Sequence, residues 1–363
     1  MIRWRSAEVR KVHRTWPGAA ELDVSVADGQ REHACRALAY TDLVGDPRPG
    51  DRVLINTTAL DLGLGTGGYA MVVALPDRPP PDPPPGPGHL VKARYTPLQT
   101  TVLGADEQDS PHHAALRDAD DIGGMPVVTA DLHSALPAVL AGIHEARPGA
   151  RVAYVMLDGG ALPAAFSRSV PALRAAGLLA AAITAGQSFG GDLETATVHT
   201  GLLAARHITG ADIAVVAQGP GNLGTGTLWG FSGVATGEAV NAAAVLRGRP
   251  VASLRVSEAD TRKRHRGVSH HSITAYGRVA LAPADVAVPL LPGAFGARVR
   301  SAAAALGERH RLVEIGVDGL DAALRALPVR PSTMGRSLEE DRAYFLTAAA
   351  AGRHAAALVQ AAK

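Results

Sequence analysis

Three histidines and three arginines lie between Arg262 and His271, in the run Arg-Lys-Arg-His-Arg-Gly-Val-Ser-His-His. Imidazole titrates near neutral pH, so His270 and His271 could move protons in an acid–base step. Arg264 and Arg266 beside them could neutralise an anion through charge-assisted hydrogen bonds. The same imidazoles, with His265, could instead ligate a metal. Their spacing matches no zinc motif and no carboxylate motif accompanies them, so the sequence names neither a metal nor a cofactor. A solvated basic loop explains the run equally well. A helix starting at Ser269 or Ser272 tilts the balance towards a site, because a helix N-terminus attracts anions.

A second signal is the run Gln-Gly-Pro-Gly-Asn-Leu-Gly-Thr-Gly-Thr over residues 218–227. Gly219, Gly221 and Gly224 satisfy G-x-G-x-x-G after an apolar stretch. No amphipathic helix follows at once, no acidic residue ends a second strand about 20 residues on, and the P-loop lysine is missing. A dinucleotide reading therefore fails. What remains is a loop of flexible backbone at a strand end, which can form an anion-binding nest. Gly219, Gly221, Asn222, Gly224, Thr225, Gly226 and Thr227 are its candidate contacts. A tight turn with close backbone packing is the alternative, and six glycines over residues 219–233 are many for a turn alone.

Further candidates are scattered along the chain. Lys92 and Arg94 share one face of an extended segment and could reach a phosphate or carboxylate; ordinary surface charge is the simpler reading. Asp131 follows an apolar run and suits a helix cap, while His133 beside Ser134 could serve acid–base chemistry. Asp158, before Gly159 and Gly160, could hold a ligand hydroxyl, a metal or a turn amide. Arg336, in the small-residue turn after residue 330, could close over a site, although a surface turn needs no such role.

These side chains need elements to hold them. Residues 1–77 read as short, partly alternating strands, which suggests a small β-barrel-like domain. Residues 78–88, Arg-Pro-Pro-Pro-Asp-Pro-Pro-Pro-Gly-Pro-Gly, favour polyproline II and form a linker. From residue 89 to 363 the pattern becomes α/β. Apolar strand candidates at 127–130, 152–157, 180–184, 213–217, 251–256, 286–289 and 313–315 alternate with helix candidates near 133–146, 163–176, 192–208, 236–247, 297–307 and 318–326. Such alternation predicts a mostly parallel, Rossmann-like sheet flanked by helices. Ligands of these sheets sit beyond the carboxyl ends of the strands, where Asp131, His133, Asp158, the glycine run and the segment after residue 256 all fall.

Composition removes several function classes. The 363 residues carry a net charge of +2 and only 4% aromatics, which argues against nucleic acid as a partner. The single Cys35 excludes an intrachain disulfide and a multi-cysteine metal site, and fits a reducing compartment. The N-terminal residues lack a secretory signal, and no apolar stretch reaches membrane-spanning length. The expected setting is cytoplasmic. Alanine tracts at residues 302–305 and 348–351 suit helices; such helices could pack across an interface, which suggests a homodimer.

Four blocks in order, GDRVLINTTALDLGLGTGGYA, GHLVKARYTPLQ, VAQGPGNLGTGTLWGFSG and RHRGVSHHS, resemble a bacterial family common in actinobacteria and described as a domain of unknown function. The resemblance spans nearly the whole chain. It implies a cytoplasmic bacterial protein of this length and no activity. Two classes of function follow from the residues themselves. One is an enzyme acting on a small anionic metabolite, phosphorylated or nucleotide-like, by hydrolysis or group transfer. The other is a non-catalytic metabolite sensor or protein-interaction scaffold. Titratable groups at the strand ends tilt the reading towards the enzyme.

Overall fold

A computed structural model describes residues 1–28 and 31–359. The chain forms two units, one of residues 1–87 with 91–101, the other of residues 88–90 with the chain from 102 onward. Among the described residues no helix is long and apolar enough to cross a membrane.

The first unit is a closed five-stranded barrel of β1 (Trp4–Trp16), β2 (Ala19–Asp28), β3 (Arg31–Ala39), β4 (Arg52–Asn56) and β5 (Ala70–Ala74). β1 pairs with both β2 and β4, and β3 runs parallel to β5. This order is that of an OB-type barrel. Alternation places Val9, Leu22, Val24, Val53, Ile55 and Val72 inside, all essentially inaccessible.

The second unit is built on eight parallel strands, β6 (Pro126–Ala130), β7 (Val152–Leu157), β8 (Ala181–Thr184), β9 (Leu193–Glu194), β10 (Ile213–Gln218), β11 (Arg249–Ser253), β12 (Asp285–Pro289) and β13 (Arg311–Ile315). Their order is β9-β8-β7-β10-β6-β11-β12-β13. The central strands are near-continuous apolar runs because both faces are covered. On one face Val128, Tyr154, Met156 and Val215 pack against α1 (Ala135–Ala146) and the C-terminal helix α5 (Arg342–Leu358). On the other, Val127, Val155, Ile183 and Val216 pack against α2 (Val198–His207) and α3 (Ala235–Val245). A further helix, α4 (Gly293–Ala303), follows β12.

The predicted α/β class and the β-barrel are both observed. Two expectations differ in kind: the helix expected near 192–208 begins only at Val198, because Leu193–Glu194 joins the sheet as β9, and strand 251–256 divides. Arg249–Ser253 joins the large sheet, whereas Val256–Ser257 leaves it to pair with Gly267–Val268. That departure carries the chain out of the sheet and into the histidine cluster.

The alanine tract at residues 348–351 lies inside the chain. Its four alanines are at most 2% exposed. α5 crosses α1 so closely that a Cβ on Gly142 would lie 1.8 Å from the Ala349 carbonyl oxygen, and one on Gly352 would lie 2.0 Å from that of Val139. The small residues serve this internal crossing, so the tract lends no support to an intermolecular interface.

The neighbouring strands β6 and β10 send their chains in opposite directions. β6 leads to α1 on one face, and β10 leads to α3 on the other. Divergence of this kind opens a crevice at the carboxyl ends of the two strands.

Candidate functional site

A cleft of about 340 Å³ occupies that crevice. Leu132, His133 and Ser134 line it from the end of β6, and Pro220, Gly221 and Asn222 from the end of β10. Arg168 and Arg330 complete its charge, and among the described residues no carboxylate lines it. Gln218, the last residue of β10, ties the two loops together. Its Nε2 donates to the Asp131 carbonyl (2.8 Å) and to Asn222 Oδ1 (3.0 Å). Its Oε1 is a buried acceptor without a hydrogen-bond partner among the described residues.

His133 sits between two hydroxyls. Tyr154 Oη donates its proton to the Gln218 carbonyl (2.9 Å), so its oxygen accepts from His133 Nδ1–H (3.1 Å). Nε2 is then the acceptor facing Ser167 Oγ (2.7 Å). Burial pushes the His133 pKa down to about 4, which keeps the ring neutral. Serine, histidine and tyrosine thus stand in the order of a nucleophile, a base and an orienting group. Ser167, however, is only 2% exposed, and its oxygen also accepts from the Val170 amide. A polar network that fixes the loop is the better account of it.

The second half of the site lies beyond β11. Asp131 Oδ2 accepts from Arg255 Nη1 (3.4 Å) and from His271 Nδ1 (3.3 Å). All three side chains are buried. Burial opposes ionisation of Asp131, but the Arg255 charge and the His271 hydrogen bond outweigh it and hold the carboxyl below its ordinary range. His271 Nδ1 lies 3.3 Å from Arg255 Nη1 as well. A carboxylate only accepts and a guanidinium only donates, so the Asp131 contact is a hydrogen bond when the proton sits on Nδ1, with Nε2 on the far side of the ring. Phe231 stacks on the His271 ring with centroids 3.8 Å apart and planes 5° from parallel.

His265, His270 and His271 pack around one another, with ring centroids 4.5–5.0 Å apart. Ser269 starts the short helix His270–Thr274; its Oγ accepts from the His271 amide and meets His265 Nδ1 at 2.7 Å. Burial first, then the charges of Arg255 and Arg262, takes the His265 pKa down to about 3. His270 is lowered as well, by burial and then by its neighbour His271 and by Arg264. Its Nε2 is buried and lacks a hydrogen-bond partner among the described residues.

An ion-pair layer supports this cluster. Asp260 accepts from Arg262 Nη2 (2.7 Å) and Arg336 Nη2 (3.4 Å). Asp341, immediately before α5, accepts from Ser257 Oγ (2.6 Å) and Arg336 Nε (2.9 Å). The hydrogen bond from Arg262, more than the opposing burial, draws the Asp260 carboxyl far below its ordinary range.

The sequence candidates distribute as follows. The glycine run and the histidine run meet: Phe231 lies against His270 and His271, and the Arg264 guanidinium lies near Gly226. Gly221 and Asn222 line the cleft. Gly219 is needed for close packing, because a Cβ there would fall 2.5 Å from the Ala161 carbonyl oxygen. Gly224, Thr225, Gly226 and Thr227 belong to an exposed flap in which the Thr225 and Thr227 hydroxyls bond each other (3.0 Å) and the Thr225 amide donates to Gly230 (2.8 Å). Asp158 lies in a different, smaller groove beside Thr197 and Glu238, where it accepts from the Gln187 amide (2.8 Å). Arg266 is exposed. Lys92 and Arg94 belong to the first unit, Lys92 buried and Arg94 exposed.

Sequence reasoning gave Asp131 another role and missed four participants, Arg255, Asp341, Arg168 and Arg330. Asp131 is an ion-pair partner rather than a helix cap: Ser134 stands at the N-cap of α1, and no side chain caps it. Arg255 sits just past a strand in an apolar context, where a buried cation has no local signature. Asp341 comes from 84 residues beyond Ser257. Arg168 and Arg330, isolated arginines in loops, become neighbours only through the fold.

The family model described as "Protein of unknown function (DUF3866)" matches residues 36–352. No curated protein and no solved structure matches the chain.

Proposed function

Since the chain belongs to the DUF3866 family of proteins of unknown function, we propose its role from the site itself: an enzyme acting on a small anionic metabolite, phosphorylated or nucleotide-like, by hydrolysis or group transfer. The observation that carries the reading is the cleft between β6 and β10. It holds Arg168, Arg330 and His133, has no carboxylate among its described lining residues, and at about 340 Å³ suits a ligand of modest size. In this reading Arg168 and Arg330 take the anionic group, with the backbone at Gly221 and Asn222 closing on it. Asp131 links the cleft to the histidines, since it directly precedes the lining residues and holds His271. His270 and His271 are the proton-handling groups. Buried titratable side chains are costly to fold around, and a site that only binds needs fewer of them.

The test is a thermal-shift screen of inorganic phosphate, phosphorylated metabolites and nucleotides, followed by product analysis for each compound that stabilises. A ligand confined to the folded state raises its apparent stability. The expected result is a stabilising phosphorylated compound that is consumed on incubation, with the shift lost in Arg168→Ala and Arg330→Ala. If both variants keep the full shift, the cleft is not the anion site. If turnover survives in the His270→Ala/His271→Ala double variant, the catalytic assignment is wrong.

One feature favours the second reading, a non-catalytic sensor or scaffold. Leu223, Leu228 and Trp229 on the flap are 74%, 42% and 53% exposed, an apolar surface that a protein partner could cover. Tight ligand binding without turnover would support it.

A further inference from the structure

We propose that His265, His270 and His271 form a binding site for one divalent transition-metal ion of the zinc and cobalt class. One ring nitrogen of each lies within 4.8 Å of those of the other two. Three rings held at Zn–N distances of about 2.0–2.1 Å in tetrahedral geometry have centroids ~5 Å apart, and the observed separations are 4.5–5.0 Å. Small ring rotations would bring the nitrogens in.

The surroundings fit ligation in three respects. First, each outer nitrogen of two of the rings is engaged. His271 Nδ1 faces the Asp131 carboxylate at 3.3 Å and His265 Nδ1 the Ser269 hydroxyl at 2.7 Å. A metal-bound histidine is oriented in this way, with the far N–H on a carboxylate or another acceptor. Second, His270 buries an Nε2 that has no partner among the described residues. Leaving such a group unmatched costs about 1–3 kcal/mol, and a metal would remove that cost. Third, three of the cations beside the cluster are paired with carboxylates. Arg255, Arg262 and Arg336 are each paired with buried carboxylates of Asp131, Asp260 or Asp341, so these cations do not stand unopposed against an ion. Among the described residues no carboxylate or thiol joins the three nitrogens. The fourth position falls to water or to a ligand. With a metal bound, His270 and His271 would act as ligands and not as the proton-handling groups of the enzymatic reading, and water in the fourth position would take that part; a sensor or a structural centre would load equally.

The experiment uses the full chain, stripped with a chelator and titrated with Co(II) and Zn(II). The expected result is one equivalent bound, a visible Co(II) spectrum of four-coordinate intensity, and a rise in the melting temperature with Zn(II). His270→Ala should weaken Zn(II) binding at least ~100-fold and Ser269→Ala by ~10–100-fold, the range for loss of an orienting partner. The free His270 nitrogen makes the first variant mild, so its unliganded melting temperature should match the wild type. A folded wild-type chain that binds no stoichiometric metal overturns the proposal. So does His270→Ala binding Zn(II) like the wild type. Stabilisation by phosphate that is lost in His270→Ala and kept in Arg168→Ala, with no metal bound, would overturn the metal site in favour of an anion site at the cluster. None of these readouts requires turnover, so a failed metal site and a failed enzymatic reading remain distinguishable.

Discussion

Replacing Arg255 with Met should strand Asp131. The carboxylate is buried, and its cationic partner is the Arg255 guanidinium 3.4 Å away. At that distance, and with an effective dielectric of about 20, their attraction is roughly 5 kcal/mol. Much of it offsets desolvation, but removing one partner alone leaves the other uncompensated, at about 3–5 kcal/mol. For a unit of this size the loss corresponds to a fall of roughly 6–20 °C in melting temperature. Asp131→Asn should cost less, because Arg255 keeps Asp260 at 3.9 Å. The converse relief is absent: Asp260 holds Arg262 and Arg336 whether or not Arg255 is present. The double variant Asp131→Asn/Arg255→Met should therefore be more stable than Arg255→Met alone. Scanning calorimetry, read on the transition of the second unit, checks all three. A shift below about 2 °C for Arg255→Met, or strictly additive losses in the double variant, would refute a coupled buried pair.

Three shorter predictions accompany it. Gly142→Ala places a Cβ 1.8 Å from the Ala349 carbonyl oxygen and should destabilise by about 1–3 kcal/mol or more, whereas Gly316→Ala, with open space around its Cβ, should be neutral in the same melt. His133, with its pKa near 4 in the folded chain, binds a proton less readily than the unfolded chain does, so its contribution is intact above about pH 6.5 and is lost as pH falls towards 4. The loss is at most roughly 3 kcal/mol, and urea titrations across that window should be steeper in pH for the wild type than for His133→Gln. Gly160→Ala would set a Cβ 2.2 Å from the Gly219 carbonyl oxygen, so it should abolish ligand-induced stabilisation through the cleft while the circular dichroism spectrum holds.

The sheet was legible because its residues obey a local rule. Apolar runs such as 152–157 and 213–217 are buried on both faces, and burial leaves its mark on each residue separately. The histidine cluster was legible because three imidazoles within seven residues need no tertiary information to be noticed. The pairing of its acidic and cationic supports was not legible. Asp131 pairs with Arg255 across 124 residues of sequence and Asp341 with Ser257 across 84, and a buried ion pair has no periodicity. The glycine run shows a third case. Its pattern marked the right loop, but part of its composition answers to steric need. Gly160 and Gly219 let two backbones touch, while Thr225 and Thr227 spend their hydroxyls on each other.

The crossing of α1 and α5 bears on how this chain emerges from the ribosome. One face of the sheet is covered by α5, which is made some 200 residues after the α1 helix it packs upon. Until then the alanine, valine and leucine surface of α1 and its strands stays uncovered, in the company of Asp341's unfilled partners Ser257 and Arg336. Synthesis at about 5–20 residues per second leaves that surface open for on the order of ten seconds or more. A nascent second unit thus exposes one apolar sheet face for most of its translation, whereas the barrel, encoded upstream, can close early.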